Sequence, residues 1–281
     1  MSVWKALARW MGIHSNGHVG ELENGENMHC AFVYPGQGAH KATMADVVME
    51  AFPTLALQIF QQAERATGVD LRAVAGRPNR DFLLESPRPE IPHHQNTGHP
   101  AKDVQAVVYT VSLITHLGLL ESGWHPDVVA GHRLGSYAAL AAAGCLSFTD
   151  GLHLVREHAA LTAEQEAVTE TVSSTSRARM ADRLADVDFR EPYLPVVGSG
   201  TAQPLRTGAQ ARQDLLAQVD GQDSWPDTMP LLVGRGRDVV VEVGPGRALT
   251  AQFAQSHPQV VTRSTADIRR IRRLTEHPAR V

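Results

Sequence analysis

The sequence predicts an α/β fold in which a mostly parallel sheet is flanked by helices. Short β-branched runs, such as DVVVEV at 238–243, alternate along the chain with longer segments of helical spacing. One run, VVA at 128–130, passes directly into the Gly-x-x-x-Gly turn at 131–135 and then into an alanine-rich segment. A strand, a tight glycine turn and a helix in this order are typical of a nucleophile elbow.

The remaining elements follow from hydrophobic periodicity. Residues 31–34 are predicted as a buried strand that ends at the Pro-Gly-Gln-Gly loop 35–38. The polar, arginine-rich segment 171–190 is given no element. Helices are predicted at about 44–59, 103–121, 136–143, 149–170 and 207–219, and strands at 128–130, 194–200 and 238–243.

Composition excludes several classes of function. A net charge of −4 gives no electrostatic reason to expect nucleic acid binding. No apolar run reaches the ~20 residues that a membrane span needs. Cys30 and Cys145 do not make a disulfide framework, so we expect a cytoplasmic protein. His93, His94 and His99 lie in a proline-rich segment without the spacing of metal ligands, and no metal site is expected.

We divide the chain into three regions. Residues 1–29 are predicted as an N-terminal helix and linker, 30–257 as the α/β domain, and 258–281 as a basic C-terminal tail. The first helix fits packing on its own domain or docking on a partner. The segment ADIRRIRRL at 266–274 fits a solvated terminal helix or a contact with an acidic partner.

Five sequence blocks, in order, resemble the malonyl-CoA:acyl-carrier-protein transacylase family, which includes the acyltransferase domains of polyketide synthases. The elbow block GHRLGSYAAL resembles the family's GHSLGEYSAL. The others are YPGQGAH at 34–40, the helix start around Gln105, LPVVGSGTA at 194–202 followed by Trp225, and VEVGPGRALT at 241–250.

The resemblance implies a two-step transfer. In the family, an elbow serine takes the acyl group from a CoA thioester and passes it to the phosphopantetheine thiol of a carrier protein. Position by position, Arg133 stands where that serine should be, and Thr175 stands where the histidine base should be. His158 stands at the arginine that pairs with the malonyl carboxylate, and Arg156 is displaced from it by two residues.

Other family positions are kept. His132 flanks the nucleophile position, and the backbone N–H of Leu134 follows it, where the oxyanion would develop. Gln37 and Gln105 correspond to the glutamines of the loop and of the helix start, while the asparagine after the PVV strand is replaced by the Gly-Ser pair at 198–199. The family also inserts a small ferredoxin-like subdomain before the base. Only about a dozen residues separate His158 from Val172, so we expect this subdomain to be largely deleted.

Arginine cannot serve as the nucleophile, because its guanidinium stays protonated in proteins. We therefore predict an acyltransferase homologue of polyketide or fatty-acid biosynthesis that is impaired or inactive and acts as an accessory or carrier-protein-binding subunit. The expected partners are an acyl carrier protein and ketosynthase subunits, and no cofactor is expected. Arg133 would either bind an anion or plug the cleft.

Two alternatives stay open. One is an active malonyl- or acyl-CoA:acyl-carrier-protein acyltransferase that uses non-standard residues such as His132, His158 or Ser136. The other is a hydrolase of the wider elbow class, which is disfavoured because that class also needs an elbow nucleophile.

Overall fold

The computed structural model describes residues 29–75, 99–167, 174–234 and 239–276. The predicted N-terminal helix, His93 and His94 lie outside these ranges. The described residues form one six-stranded sheet with helices on both faces, which confirms the predicted α/β class.

The sheet is parallel except at one edge. In spatial order the strands are β4, β3, β2, β1, β5 and β6, and only the β3–β4 pair is antiparallel. Every residue of β1 is buried, as expected for a central strand covered on both faces. The strand bounds are β1 Cys30–Tyr34, β2 Val128–Gly131, β3 Val196–Val197, β4 Pro204–Leu205, β5 Val239–Glu242 and β6 Val261–Ser264.

Eleven helices are found in the described residues. They are α1 Met44–Ala51, α2 Pro53–Thr67, α3 Leu71–Val74, α4 Ala101–Glu121, α5 Gly135–Ala142, α6 Phe148–Ala167, α7 Ser174–Ala185, α8 Gly208–Val219, α9 Trp225–Leu232, α10 Ala248–Ser256 and α11 Ile268–Glu276.

Two helix predictions were wrong. The single helix expected over 44–59 is two helices, because Pro53 has no N–H to donate and instead begins α2 at its first turn. The segment 171–190, for which the sequence predicts no element, contains α7, and its buried Met180 and Leu184 lie one turn apart.

The predicted domain boundary at 257 does not hold in the structure. Beyond it, β6 pairs with β5 and extends the sheet. Helix α11 then packs on the domain through the buried side chains of Ile271 and Leu274, and Trp124 Nε1 donates to the backbone oxygen of Leu274 at 3.0 Å. Residues 258–276 are therefore part of the α/β domain and not a tail.

Helix α4 is the core helix of the domain. It is the one described helix long and apolar enough to cross a membrane, and its apolar window is entirely buried in the protein. It contacts α6 closely. Only six residues separate the end of α6 from the start of α7, and the described residues contain no second sheet, which agrees with the expected loss of the ferredoxin-like subdomain.

Candidate functional site

The turn between β2 and α5 has the backbone of a nucleophile elbow. Arg133 lies at its apex with φ +51°, one of two non-glycine residues with positive φ in the described chain. The N–H groups of Gly135 and Ser136 donate to the carbonyls of His132 and Arg133, both at 2.9 Å. An apex in the left-handed region is strained for a residue with a Cβ, so the surrounding structure must impose it.

Close backbone packing imposes this turn. A Cβ on Gly131 would overlap the backbone of Gly135, and a Cβ on Gly135 would overlap the carbonyl oxygen of Tyr34. A Cβ on Gly36 would press against the His132 carbonyl. Since backbone atoms cannot move aside cheaply, these glycines hold the elbow whatever side chain stands at 133.

The Arg133 side chain forms an ion pair at the mouth of the site. Its Nε donates to Asp223 Oδ2 at 2.9 Å, and His132 Nε2 lies 3.2 Å from the same oxygen. Partial burial alone would raise the pKa of Asp223, but the hydrogen bond from Arg133 and the His132 contact outweigh it and lower that pKa. The Arg133 side chain is 60% exposed, so it extends toward solvent and does not plug the cleft.

A cleft of about 230 Å³ opens beside the apex. Four of the predicted site residues meet there: Gln37, Arg133, Leu134 and His158. His132 is close by, packed on the Trp225 ring with centroids 5.1 Å apart. Thr175 and Gln105 do not line this cleft: Thr175 is exposed at the start of α7, and Gln105 is buried on α4.

His158 does not replace a cationic arginine. Its Nδ1 lies 2.9 Å from the Tyr137 hydroxyl, and burial lowers its pKa to about 4. The imidazole is therefore neutral at pH 7 and offers a carboxylate no charge. Arg156 is turned away from the cleft, where its Nη2 pairs with Asp103 Oδ1 at 2.7 Å.

Ser136 is enclosed by hydrogen bonds. Its side chain is 3% exposed, and its Oγ donates to the Gly131 carbonyl at 2.9 Å. It also accepts from Gln218 Nε2 at 3.0 Å and contacts Ser199 Oγ at 3.2 Å. These contacts occupy the hydroxyl, and Ser136 does not line the cleft.

The two thiols are equally unsuited to act as nucleophiles. Cys30 and Cys145 are both buried, and burial raises the pKa of each to about 12. Because the thiolate is the reactive form, both are inert at neutral pH.

Three polar residues of the site were missed in the sequence: Asp214, Gln218 and Asp223. Asp214 is 1% exposed and accepts from the Thr201 N–H and from Gln218 Nε2. A Cβ on Gly198 would overlap its carboxylate, so the glycine at the family's asparagine position makes room for Asp214. The one available signal was that Asp214 shares the apolar face of its helix with Ala211 and Leu215.

The EVGPG turn after β5 is held by packing and capping. Glu242 is fully buried, and its Oε2 accepts from Thr250 N at 2.8 Å and Oγ1 at 3.1 Å, which caps the first turn of α10. Burial raises the pKa of Glu242. Gly244 has φ +137°, and a Cβ on Gly246 would overlap the Glu242 carboxylate. The described residues contain no group of three or more potential metal ligands.

Comparison with known proteins identifies the family. The profile of the acyl transferase domain family matches residues 31–219, about two thirds of the chain. The chain belongs to this acyltransferase family, in the branch of malonyl-CoA:acyl-carrier-protein transacylases and polyketide acyltransferases.

Two relatives illustrate the match. The polyketide biosynthesis protein ThaF of Burkholderia thailandensis is 25% identical over 94% of this chain, but the chain spans only 28% of that protein. The malonyl CoA-acyl carrier protein transacylase of Synechocystis sp. is 25% identical over 83% of this chain and 95% of its own length. That match extends over 298 positions, whereas 83% of 281 residues is about 233, so about 65 positions have no counterpart here.

Solved structures share the fold. The crystal structure of the Synechocystis transacylase superposes with a TM-score of 0.73 at 22% identity, covering 88% of this chain and all of that one. A malonyl-transacylase solved in complex with its type II polyketide acyl carrier protein gives 0.74 at 20% identity, covering 89% of this chain and 99% of that one.

Proposed function

We propose that this chain is a non-catalytic acyltransferase homologue that binds an acyl carrier protein during polyketide or fatty-acid assembly in the cytoplasm. The observation that carries the proposal is the elbow apex, where a protonated, ion-paired arginine takes the place of the nucleophile. Without that nucleophile the covalent acyl-enzyme route is closed.

The rest of the catalytic set supports the same conclusion. At the base position, Thr175 is exposed on α7 and does not line the cleft. At the carboxylate-binding position, buried His158 is neutral at pH 7. Recruiting Ser136 would break three hydrogen-bond contacts and leave it without a base, which disfavours an active enzyme with unusual residues.

Binding of a carrier protein is supported by two polar side chains that line the cleft. Arg133 and Gln37 line an open cavity, and beyond Nε the guanidinium has no partner among the described residues. The phosphopantetheine arm of a carrier protein offers a phosphate and two amides, which match cationic and amide donors. The related transacylase bound to its carrier protein provides the precedent, and a ketosynthase subunit would be the further partner in such an assembly.

Fluorescence anisotropy with labelled apo and holo forms of a type II polyketide carrier protein tests this function. We expect the holo form to bind several times more tightly than the apo form, and Arg133→Ala to remove that difference. Arg65→Ala, at an exposed arginine on α2 outside the cleft, is the matched control and should change nothing.

Two outcomes would contradict the proposal. Equal affinity for apo and holo carrier would remove the proposed role of the cleft in binding the phosphopantetheine arm, and no binding of either form would remove the carrier-binding role. Transfer of malonyl from malonyl-CoA to the carrier thiol above the protein-free rate would show that the protein is catalytic.

A further inference from the structure

An arginine-lined groove runs along the edge of the sheet remote from β2. Cavities of about 220 and 300 Å³ flank the edge strand β6. Arg263, Ser264 and Arg270 line both cavities, Arg247 lines one and Arg273 the other. We call these five residues the β6 groove. It lies three strand spacings from the elbow strand, or about 14 Å.

Positive charge in the β6 groove exceeds the negative charge that faces it. Asp267 Oδ2 accepts from Arg270 Nε at 2.9 Å. Arg263 donates to a backbone carbonyl, and Arg247 and Arg273 form no ion pair within the described ranges. The pKa of nearby Lys41 is lowered by partial burial and by the charges of Arg247 and Arg270, while Asp267 and Glu242 act in the opposite direction.

Ser264 adds an unused hydrogen-bond donor. It is 5% exposed and lines both cavities, yet its Oγ has no partner among the described residues. A buried hydroxyl left unpaired is unfavourable, and an acceptor oxygen in the groove would satisfy it.

We propose that the β6 groove binds the phosphate group of a phosphorylated small molecule, with Arg247, Arg263 and Arg270 pairing with its oxygens and Ser264 Oγ–H donating to one of them. Guanidinium groups recognise phosphate through charge-assisted, often bidentate hydrogen bonds. A CoA-type head group and a nucleotide carry the same phosphate chemistry.

The test is calorimetric titration of the full chain with adenosine 3′,5′-bisphosphate, ATP and adenosine. We expect saturable binding of both phosphorylated ligands and none of adenosine. Tighter binding of the bisphosphate would identify a CoA-type head group, and tighter binding of ATP a nucleotide. Arg263→Ala and Arg270→Ala should each weaken the preferred ligand about tenfold or more, and Ser264→Ala by a smaller factor.

Arg269→Ala is the matched control, because Arg269 is exposed on the same helix as Arg270 and does not line the groove. It should change affinity less than about twofold. The proposal is overturned if neither phosphorylated ligand saturates, if adenosine binds equally well, or if Arg269→Ala weakens binding as much as Arg263→Ala.

Discussion

The elbow at 131–135 follows β2 and the EVGPG turn at 242–246 follows β5, and both strands pair with β1 in one sheet. The two glycine turns differ in which side chains they retain. At the EVGPG turn, both the glycines and the Glu242 side chain remain, and the carboxylate caps α10. At the elbow, the glycines remain and the apex side chain is an arginine. Residues that support the backbone are present at both turns, whereas the position that serves only chemistry is changed.

The largest expected effect is at the elbow glycines. Gly135→Ala should lower the free energy of unfolding by about 3 kcal/mol or more, because its Cβ would overlap the Tyr34 carbonyl oxygen. Urea denaturation measures this. Gly38→Ala is the control, since Gly38 also has a positive φ, +87°, but has open space around its Cβ, and it should cost only about 1 kcal/mol. Equal costs would show that backbone packing does not hold the elbow.

At the EVGPG turn, we expect the Glu242 side chain to contribute to the free energy of unfolding. Glu242→Ala should cost about 2 kcal/mol, because it leaves the Thr250 N–H and hydroxyl without their acceptor. Glu242→Gln should stay within about 1 kcal/mol of the natural protein, since an amide oxygen can accept the same bonds. Thermal unfolding at pH 7 compares the two, and a glutamine variant as unstable as the alanine variant would contradict the capping role.

The cleft histidine should make stability depend on pH. Since burial lowers the folded-state pKa of His158 to about 4, the unfolded chain binds its proton first as pH falls below about 6.5. Stability is thus lost between pH 6.5 and 4, by up to about 1.4 kcal/mol per pH unit for this residue. Buried His116, with a pKa lowered to about 3, acts in the same direction.

Unfolding free energies from pH 7 to 4.5 check this dependence. His158→Gln should reduce the slope by about 1 kcal/mol per pH unit. His153→Gln, at an exposed histidine on the same helix, should leave the slope unchanged. If the slope is the same in all three proteins, His158 is not held neutral in the cleft.

The smallest effect is expected at the elbow apex. Arg133→Ala should change stability by less than about 1 kcal/mol, because the side chain is 60% exposed and its pair with Asp223 is partly solvated. The positive φ remains with either residue. Differential scanning calorimetry measures the shift, and a loss comparable with that of Gly135→Ala would mean that Arg133 supports the fold.

Local patterns predicted the elements that lie near the site. Short apolar runs predicted β1, β2 and β5, and the glycine spacing predicted the elbow, because both signals depend on neighbours in sequence. The strand β6 was missed because its sequence, VTRS, contains three polar residues and lies half-buried at the edge of the sheet, so it shows no apolar run. Asp223 was missed because it meets Arg133 across 90 positions.

Intact-protein mass spectrometry after incubation with malonyl-CoA or acetyl-CoA, with and without a carrier protein, tests the central claim most directly. The malonyl CoA-acyl carrier protein transacylase of Synechocystis sp. serves as the control for adduct detection. We predict no acyl adduct on this chain under any of these conditions, because Arg133 cannot form an ester and Ser136, Cys30 and Cys145 are buried. A stable adduct, mapped to Ser136 or to any other residue, would contradict the non-catalytic account.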